Sequence, residues 1–315
     1  MSLKYITLFL SLLLFFSLSY NANSQGCSDA GFCTMGAMKP NQNFPKKFKA
    51  KVVSVELGQY YGYTKFQTHV FTSYIDINVG LGAKTSVQVK VPYTVVRGEL
   101  GSAHSFSDIS FSATRNVVRK DKYQINVTVG GKIPSNNGNL PSNIYDHKVM
   151  PMYYQTSLGT YDIVLGASML TKKWLFAAGY QEPLNRNKNT FSHQLWTGED
   201  PAATEYPNTI GLKRGNDVMV RVERNFRSSR FNGYLGLLPI WRLNKDVATD
   251  PVTSARVQLQ GSSGLTLNGL GGVGYNLSAR SSLKFLFAYA IHSRPHNPDG
   301  LSRIFVTTIS YEIRF

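Results

Sequence analysis

From about residue 48 to the last residue, apolar and polar side chains take turns. Val87, Val89, Val91, Tyr93 and Val95 are separated by Gln88, Lys90 and Thr94. Tyr123, Ile125, Val127 and Val129 alternate with Gln124, Asn126 and Thr128. Leu283, Phe285, Phe287, Tyr289 and Ile291 occupy alternate positions, with Lys284 and His292 on the opposite face. A period of two belongs to a β-strand with two unlike faces, and helical spacing fits none of these stretches. The closing segment keeps the pattern to its end. Phe305, Ile309, Tyr311, Ile313 and Phe315 share one face, and Ser310, Glu312 and Arg314 share the other.

The alternation, cut at polar punctuation, predicts about twelve strands: roughly 48–58, 66–79, 85–97, 106–117, 123–133, 159–170, 174–182, 216–226, 231–243, 257–276, 283–293 and 303–315. The connections supply an independent check. With the N-terminus on the periplasmic side, the turns near 80–84, 118–122, 171–173, 227–230 and 278–282 are all short. The opposite connections near 98–105, 134–158, 183–215, 244–256 and 294–302 are mostly longer, with a shorter one near 59–65. Short turns at one end and long loops at the other is the rule for barrels that span an outer membrane. The fold class expected is therefore all-β, an antiparallel transmembrane β-barrel of about twelve strands over residues 48–315. Tyr311, Ile313 and the terminal Phe315 look like the insertion signal by which the barrel-assembly machinery recognises such proteins.

The first residues read as an export signal. Lys4 is its positive end and Tyr5 to Leu18 its apolar run, too short to span a bilayer. Ala22-Asn23-Ser24 offers small residues for cleavage after Ser24, giving a signal peptide over 1–24. Residues 25–47 then precede the barrel, either as a short plug in its lumen or as a periplasmic segment. They hold Cys27 and Cys33, the only cysteines. Two close cysteines in an oxidising compartment point to a disulfide loop. Their spacing is not CxxC and no histidine lies nearby, so no metal site is expected. Cys27 also lies where a lipid-bearing cysteine would, but Ser24 stands where a lipobox carries Leu.

The net charge is +16, and +15 without Lys4. Basicity of this size raises nucleic acid as a partner. The placement argues otherwise. Lys84, Arg119, Lys120, Lys122, Lys172, Lys173, Arg227, Arg230 and Arg280 crowd the short turns, against Asp121 alone. Long basic side chains at that rim suit the phosphates of outer-membrane lipids. Nucleic acid would need stacking aromatics among the basic residues, and these turns offer mostly small polar ones.

The face opposite the apolar one is mixed in charge. Asp76, Asp108, Asp162, Glu223 and Glu312 share it with Lys90, Lys132, Arg221, Arg242 and Lys284. These ten are the candidate lumen-lining residues. Mixed signs let neighbouring strands pair them, either as a structural network or along a path for a polar or amphipathic solute. In Val218-Met219-Val220-Arg221-Val222-Glu223 the alternation turns Arg221 and Glu223 inward and the valines toward lipid.

Other chemistry finds little support. Gly269-Leu270-Gly271-Gly272-Val273-Gly274 matches GxGxxG, but a turn follows it rather than a helix, so it reads as a glycine-rich strand. No cofactor is implied. No serine-hydrolase signature surrounds a candidate serine, although Ser192 and His193 are adjacent in a loop. No catalytic residue is assigned. An outer-membrane hydrolase and an adhesion barrel with binding loops are the rival readings.

Three segments carry a family resemblance. Pro92-Tyr93 leads through a glycine-containing loop to Ser107-Asp108-Ile109-Ser110-Phe111. Gly130-Gly131-Lys132-Ile133-Pro134-Ser135-Asn136 is similar to a Gly-x-x-x-Pro-Thr-Gly pattern, and Leu158-Gly159-Thr160-Tyr161-Asp162 to the strand entry that follows it. In order and spacing they resemble the MetA-pathway phenol-degradation family of outer-membrane proteins. Ser107 stands at a glycine position of that pattern, and Ser135-Asn136 replaces Thr-Gly. The resemblance implies a transporter-like barrel that passes a small, hydrophobic or aromatic solute by diffusion. Twelve strands imply a narrow or partly plugged lumen.

Overall fold

The computed structural model describes residues 24–25, 35–39, 51–146, 148–196, 200–228 and 230–315. The proposed signal peptide up to residue 23 and both cysteines lie outside the described residues. Twelve long strands follow one another: β1 (Lys51–Tyr63), β2 (His69–Gly80), β3 (Thr85–Gly98), β4 (Ile109–Arg119), β5 (Tyr123–Ile133), β6 (Asp162–Thr171), β7 (Trp174–Pro183), β8 (Asp217–Arg227), β9 (Phe231–Arg242), β10 (Gly264–Asn276), β11 (Ser281–His292) and β12 (Phe305–Arg314). Each pairs antiparallel with the next, and β12 pairs back onto β1 from Phe305↔Tyr63 to Arg314↔Ser54. The sheet is closed, so every barrel strand has a neighbour on both sides. In hydrocarbon, where water cannot satisfy a free edge, closure is the condition for a sheet to exist.

Side-chain alternation fixes which face is which. Leu57, Ile75, Leu237 and Phe285 are exposed on the outside, whereas Glu56, Asp76, Arg221 and Glu223 are buried within. At the long-loop end, Tyr61, Tyr63, Phe71 and Phe305 pack ring against ring beside His69. Tyr61 Oη and Tyr93 Oη are 2.9 and 2.8 Å from the Nδ1 atoms of His69 and His104. At the short-turn end, Trp174 stacks on Phe176, and Phe231 meets Tyr275. Such belts of amphipathic rings mark the two edges of the apolar band.

Several strand limits differ from the pattern-based ones. The tenth strand starts at Gly264, not 257. Residues 256–258 instead pair with 247–249 as a small hairpin inside a loop. Gly261 (φ 72°) and Gly264 (φ 122°) turn the chain between the two, which side chains with a Cβ resist. The GxGxxG run lies inside β10, paired with β9 and β11, so no helix N-terminus awaits a phosphate. The fourth strand begins at Ile109 and is preceded by Gly101–Phe106, which also pairs with β3. Tyr93 faces Phe106 while Lys90 faces Ser110, so one extra residue bulges between them. The cause is local: Pro92 has no N–H to give at that point, and its carbonyl accepts from Ser107 N at 2.9 Å. The sixth strand begins at Asp162 rather than 159.

Val222 on β8 lies across from Phe176 and Leu237, midway along the apolar band. Val222→Arg should cost about 2–4 kcal/mol, the penalty for a charge on the lipid face near the midplane. Val222→Leu should cost little. The heat-modifiable gel mobility of refolded protein measures the folded fraction. Equal folding of the two variants would mean the register is wrong.

Candidate functional site

The interior is built from the polar half of the alternation, and its charges gather in groups. Near the short-turn end, Glu56 and Glu312 share Lys284, at 2.9 and 3.2 Å, and Arg314 binds Glu312 at 2.6 Å. Arg221 pairs with Glu223, two residues along the same strand, and lies over the Tyr234 ring. On the β5–β6 wall, Asp162 takes Arg214 at 2.5 Å and Lys132 at 4.0 Å, together with Gln181. Charges in a narrow interior persist only when paired in this way.

Residues 35–39 lie inside the barrel as a short turn, with Gly36 at φ +44°. Gly36 N donates to Gln88 Oε1 and Ala37 N to Thr128 Oγ1, both at 2.7 Å. Lys39 Nζ reaches Asp76 at 2.6 Å and Glu56 at 3.3 Å. Met38 lies on Gly166, where an added Cβ would sit 2.8 Å from its sulfur. Wall glycine and segment methionine therefore fit as a pair.

At the other end the long loops fold inward over the mouth. Phe66, Tyr153, Tyr154, Phe191, Trp196 and Tyr206 form an aromatic core there. Tyr154 Oη accepts from Leu100 N at 3.0 Å, and Trp196 donates to Val149 O at 3.2 Å. Below this lid, Arg242 at the end of β9 binds Asp217, Asp246 and Asp299 at 2.8, 2.9 and 2.8 Å, which ties three separate segments to one guanidinium. Burial alone would raise the Asp299 carboxyl. The guanidinium groups of Arg242, Arg294 and Arg214 outweigh it and hold the group at about 2. Asp246 goes the other way, raised first by burial and then by the nearby Asp299 charge.

Among the described residues, three spaces border these groups. An outer cavity of about 70 Å³ lies under the lid, between Met152, Leu158 and Leu301 and the strand residues Tyr60, Thr94 and Ser110. An inner cavity of about 100 Å³ is lined by Lys39, Glu56, Asp76, Arg221, Lys284 and the apolar Leu270, Leu286 and Val306. Tyr74 and Lys90 belong to both, with Lys90 Nζ 4.0 Å above the Tyr74 ring. Tyr74 can lean into the lumen because Gly58 beneath it has no side chain, and a Cβ there would collide with the ring. The third space is the open short-turn mouth, about 630 Å³, bordered by Arg119, Lys120, Lys122, Lys172, Arg227 and Arg314. Asn232 is shared between this mouth and the inner cavity.

The ten candidate residues all point inward, but they are not one site. Lys90, Arg221 and Lys284 border the inner cavity with Asp76, and Glu312 stands behind Lys284. Lys132 and Asp162 hold the β5–β6 wall. Arg242 belongs to the rim. Asp108 sits in the Pro92 bulge and accepts Ser157 Oγ at 2.5 Å, which pins the returning loop. Glu56 and Asp217 were missed, although each lies in phase with the alternation. Lys39, Arg214, Asp246 and Asp299 come from outside the strands and have no periodic signal. Ser192 gives its hydroxyl proton to the Gln194 side chain.

Neither a family model nor a curated sequence matches the chain. Among solved structures, an outer membrane channel from Pseudomonas putida F1 is similar at a TM-score of 0.57, with 12% identity over 88% of this chain and 99% of that one. The NanC porin scores 0.47 at 11% identity, covering 84% of this chain and 100% of its own. The toluene transporter TbuX of Ralstonia pickettii scores 0.42 at 10% identity, covering 91% and 94%. The chain has an outer-membrane β-barrel fold. It is all-β and antiparallel, with twelve strands, as the alternation predicted.

The rim cluster makes a prediction. A depressed Asp299 stabilises the closed lid fully above the ordinary aspartate value of 3.8, and that contribution drains away as pH falls toward about 2. Asp299→Asn should remove it at every pH, at a local cost of about 3 kcal/mol for unbalancing a buried charge group. Limited proteolysis at neutral pH should then cut within 243–304 while the barrel stays intact. Wild-type resistance in the variant would show that the cluster does not hold the loops.

Proposed function

We propose that the protein is an outer-membrane channel through which a small solute diffuses down its gradient. The observation that carries this reading is the interior itself. Two cavities abut at Tyr74 and Lys90, and the inner one adjoins the basic mouth at Asn232. A barrel serving only as a scaffold would have no need of polar, unfilled spaces in sequence along its axis. No energy-coupling motif is evident in the sequence, so passage is passive.

The sequence resemblance to the MetA-pathway phenol-degradation family supports a small hydrophobic or aromatic solute, and the narrowness of the cavities agrees with that size. Residues 35–39 act as a resident plug within the proposed N-terminal segment 25–47, held by two backbone hydrogen bonds and the Lys39 ion pairs. The basic turns rest against phospholipid headgroups, and Tyr311, Ile313 and Phe315 engage the assembly machinery during insertion. Catalysis and nucleic-acid binding have no part in this reading.

Purified protein in planar bilayers should give small, discrete conductance steps. Deleting residues 35–47 should raise the unit conductance several-fold, because the plug's backbone donors and Lys39 leave the lumen together. Silence from both forms, with folding verified by gel mobility, would end the channel reading. Equal conductance would end the plug reading.

A further inference from the structure

We propose that the inner cavity is a binding site for a monocarboxylate with a single ring or a short chain. Its anionic group would lie against Lys90 and Lys284, and its apolar body against Leu270, Leu286 and Val306. This deepens the channel reading and rests on it for the route by which the solute arrives.

Size comes first. The cavity holds about 100 Å³, and an apolar cavity of about 150 Å³ is known to take up benzene. That is about two-thirds of the benzene-binding volume, so a short chain fits within it, a single ring fits only by reaching into the outer cavity of about 70 Å³ that abuts at Tyr74 and Lys90, and a sugar or a long acyl chain does not fit. Polarity comes next. Leu270, Leu286 and Val306 come from β10, β11 and β12 at neighbouring register positions, since Leu270 faces Ala288 and Ala288 faces Val306. They make a dry wall with no hydrogen-bonding group to offer. Around them stand Lys39, Lys90, Arg221, Glu56 and Asp76, with Lys284 on β11 two residues from Leu286.

The charges decide the sign of the ligand. Glu56 and Asp76 are already engaged: Lys39 holds both, and Lys284 holds Glu56 at 2.9 Å. An ammonium carries three donors and accepts none, so Lys284 and Lys90 can add a further carboxylate to what they already bind. A cationic ligand would meet Lys39, Lys90, Lys284 and Arg221, and the carboxylates beside them, Glu56, Asp76, Glu312 and Glu223, are already committed to ion pairs. A neutral ring would satisfy the apolar wall but strip water from the ammonium groups without replacement, which costs affinity. Lys90 also stands in the wall shared with the outer cavity, above the Tyr74 ring. A carboxylate entering from the outer cavity therefore meets Lys90 first and Lys284 after it.

The test uses full-length protein in detergent micelles and three probes of one shape: para-fluorobenzoate, para-fluorobenzyl alcohol and para-fluorobenzylamine. Fluorine NMR line broadening gives each affinity. The carboxylate should bind at least about tenfold more tightly than the alcohol, and the amine weakest, as loss of a charged hydrogen bond implies. Lys90→Gln should weaken the carboxylate by about tenfold and leave the alcohol within about twofold. Val306→Trp should fill the cavity and abolish both. Should that variant not fold, Leu286→Phe serves the same end. Equal affinities for the three probes, or carboxylate binding indifferent to Lys90→Gln and to the filled cavity, would overturn the site. Conductance on the same preparations separates the two proposals. Carboxylate binding without conductance removes the channel and keeps the site. Conductance without selective binding does the reverse.

Discussion

The β1–β12 seam is the contact on which the rest depends. A strand facing hydrocarbon has no water to satisfy its backbone, so a sheet in a bilayer must close on itself. Here the seam joins the first and last strands from Phe305↔Tyr63 to Arg314↔Ser54, and Phe315 N adds a bond to Val53 O at 3.1 Å. Once the cylinder is shut, each strand has one face in lipid and one in the lumen. The period-two pattern, the aromatic belts and the inward polar residues all follow from that one condition.

Closure then sets a problem for the interior. Twelve strands enclose a space too wide for their own side chains to fill with apolar packing alone and too narrow to hold bulk water throughout. The protein meets this with paired charges on the walls, a borrowed segment at residues 35–39, and glycines that let large side chains lean across. Gly58 admits Tyr74, and Gly166 admits Met38. What is left unfilled is confined to a few places, and these are where a solute has room.

The apolar core of the molecule sits where a soluble protein would not put it. Its aromatic part lies in the outer loops, where Tyr153, Tyr154, Phe191, Trp196 and Tyr206 pack together over the mouth, and strand residues such as Tyr60, Val96, Leu238 and Ile240 extend it into the lumen. Most of the wall's large apolar residues face lipid instead. The lid is joined to the barrel by charge as well, through Arg242 and the three aspartates it gathers. Beside the aromatic packing, the charge on Asp299 helps to hold the loop that carries it.

The sequence by itself determined the wall. Alternation assigned Arg221 and Glu223 to the lumen and Val220 and Val222 to lipid, and it did so because a strand's side chains must alternate whatever the rest of the fold does. It also counted the strands and put the short turns at one end. The same rule had Glu56 and Asp217 in phase. It mis-set the start of β10, because the hairpin at 247–249 and 256–258 has local strand character but belongs to a loop. Only the tertiary structure decided where the charges meet. Lys39 reaches Asp76 from a different part of the chain, and Asp299 reaches Arg242 across a loop. No spacing records such encounters, since they are fixed by the closure of the cylinder and by the need of each buried charge for a partner, and both are properties of the folded whole rather than of neighbours along the chain.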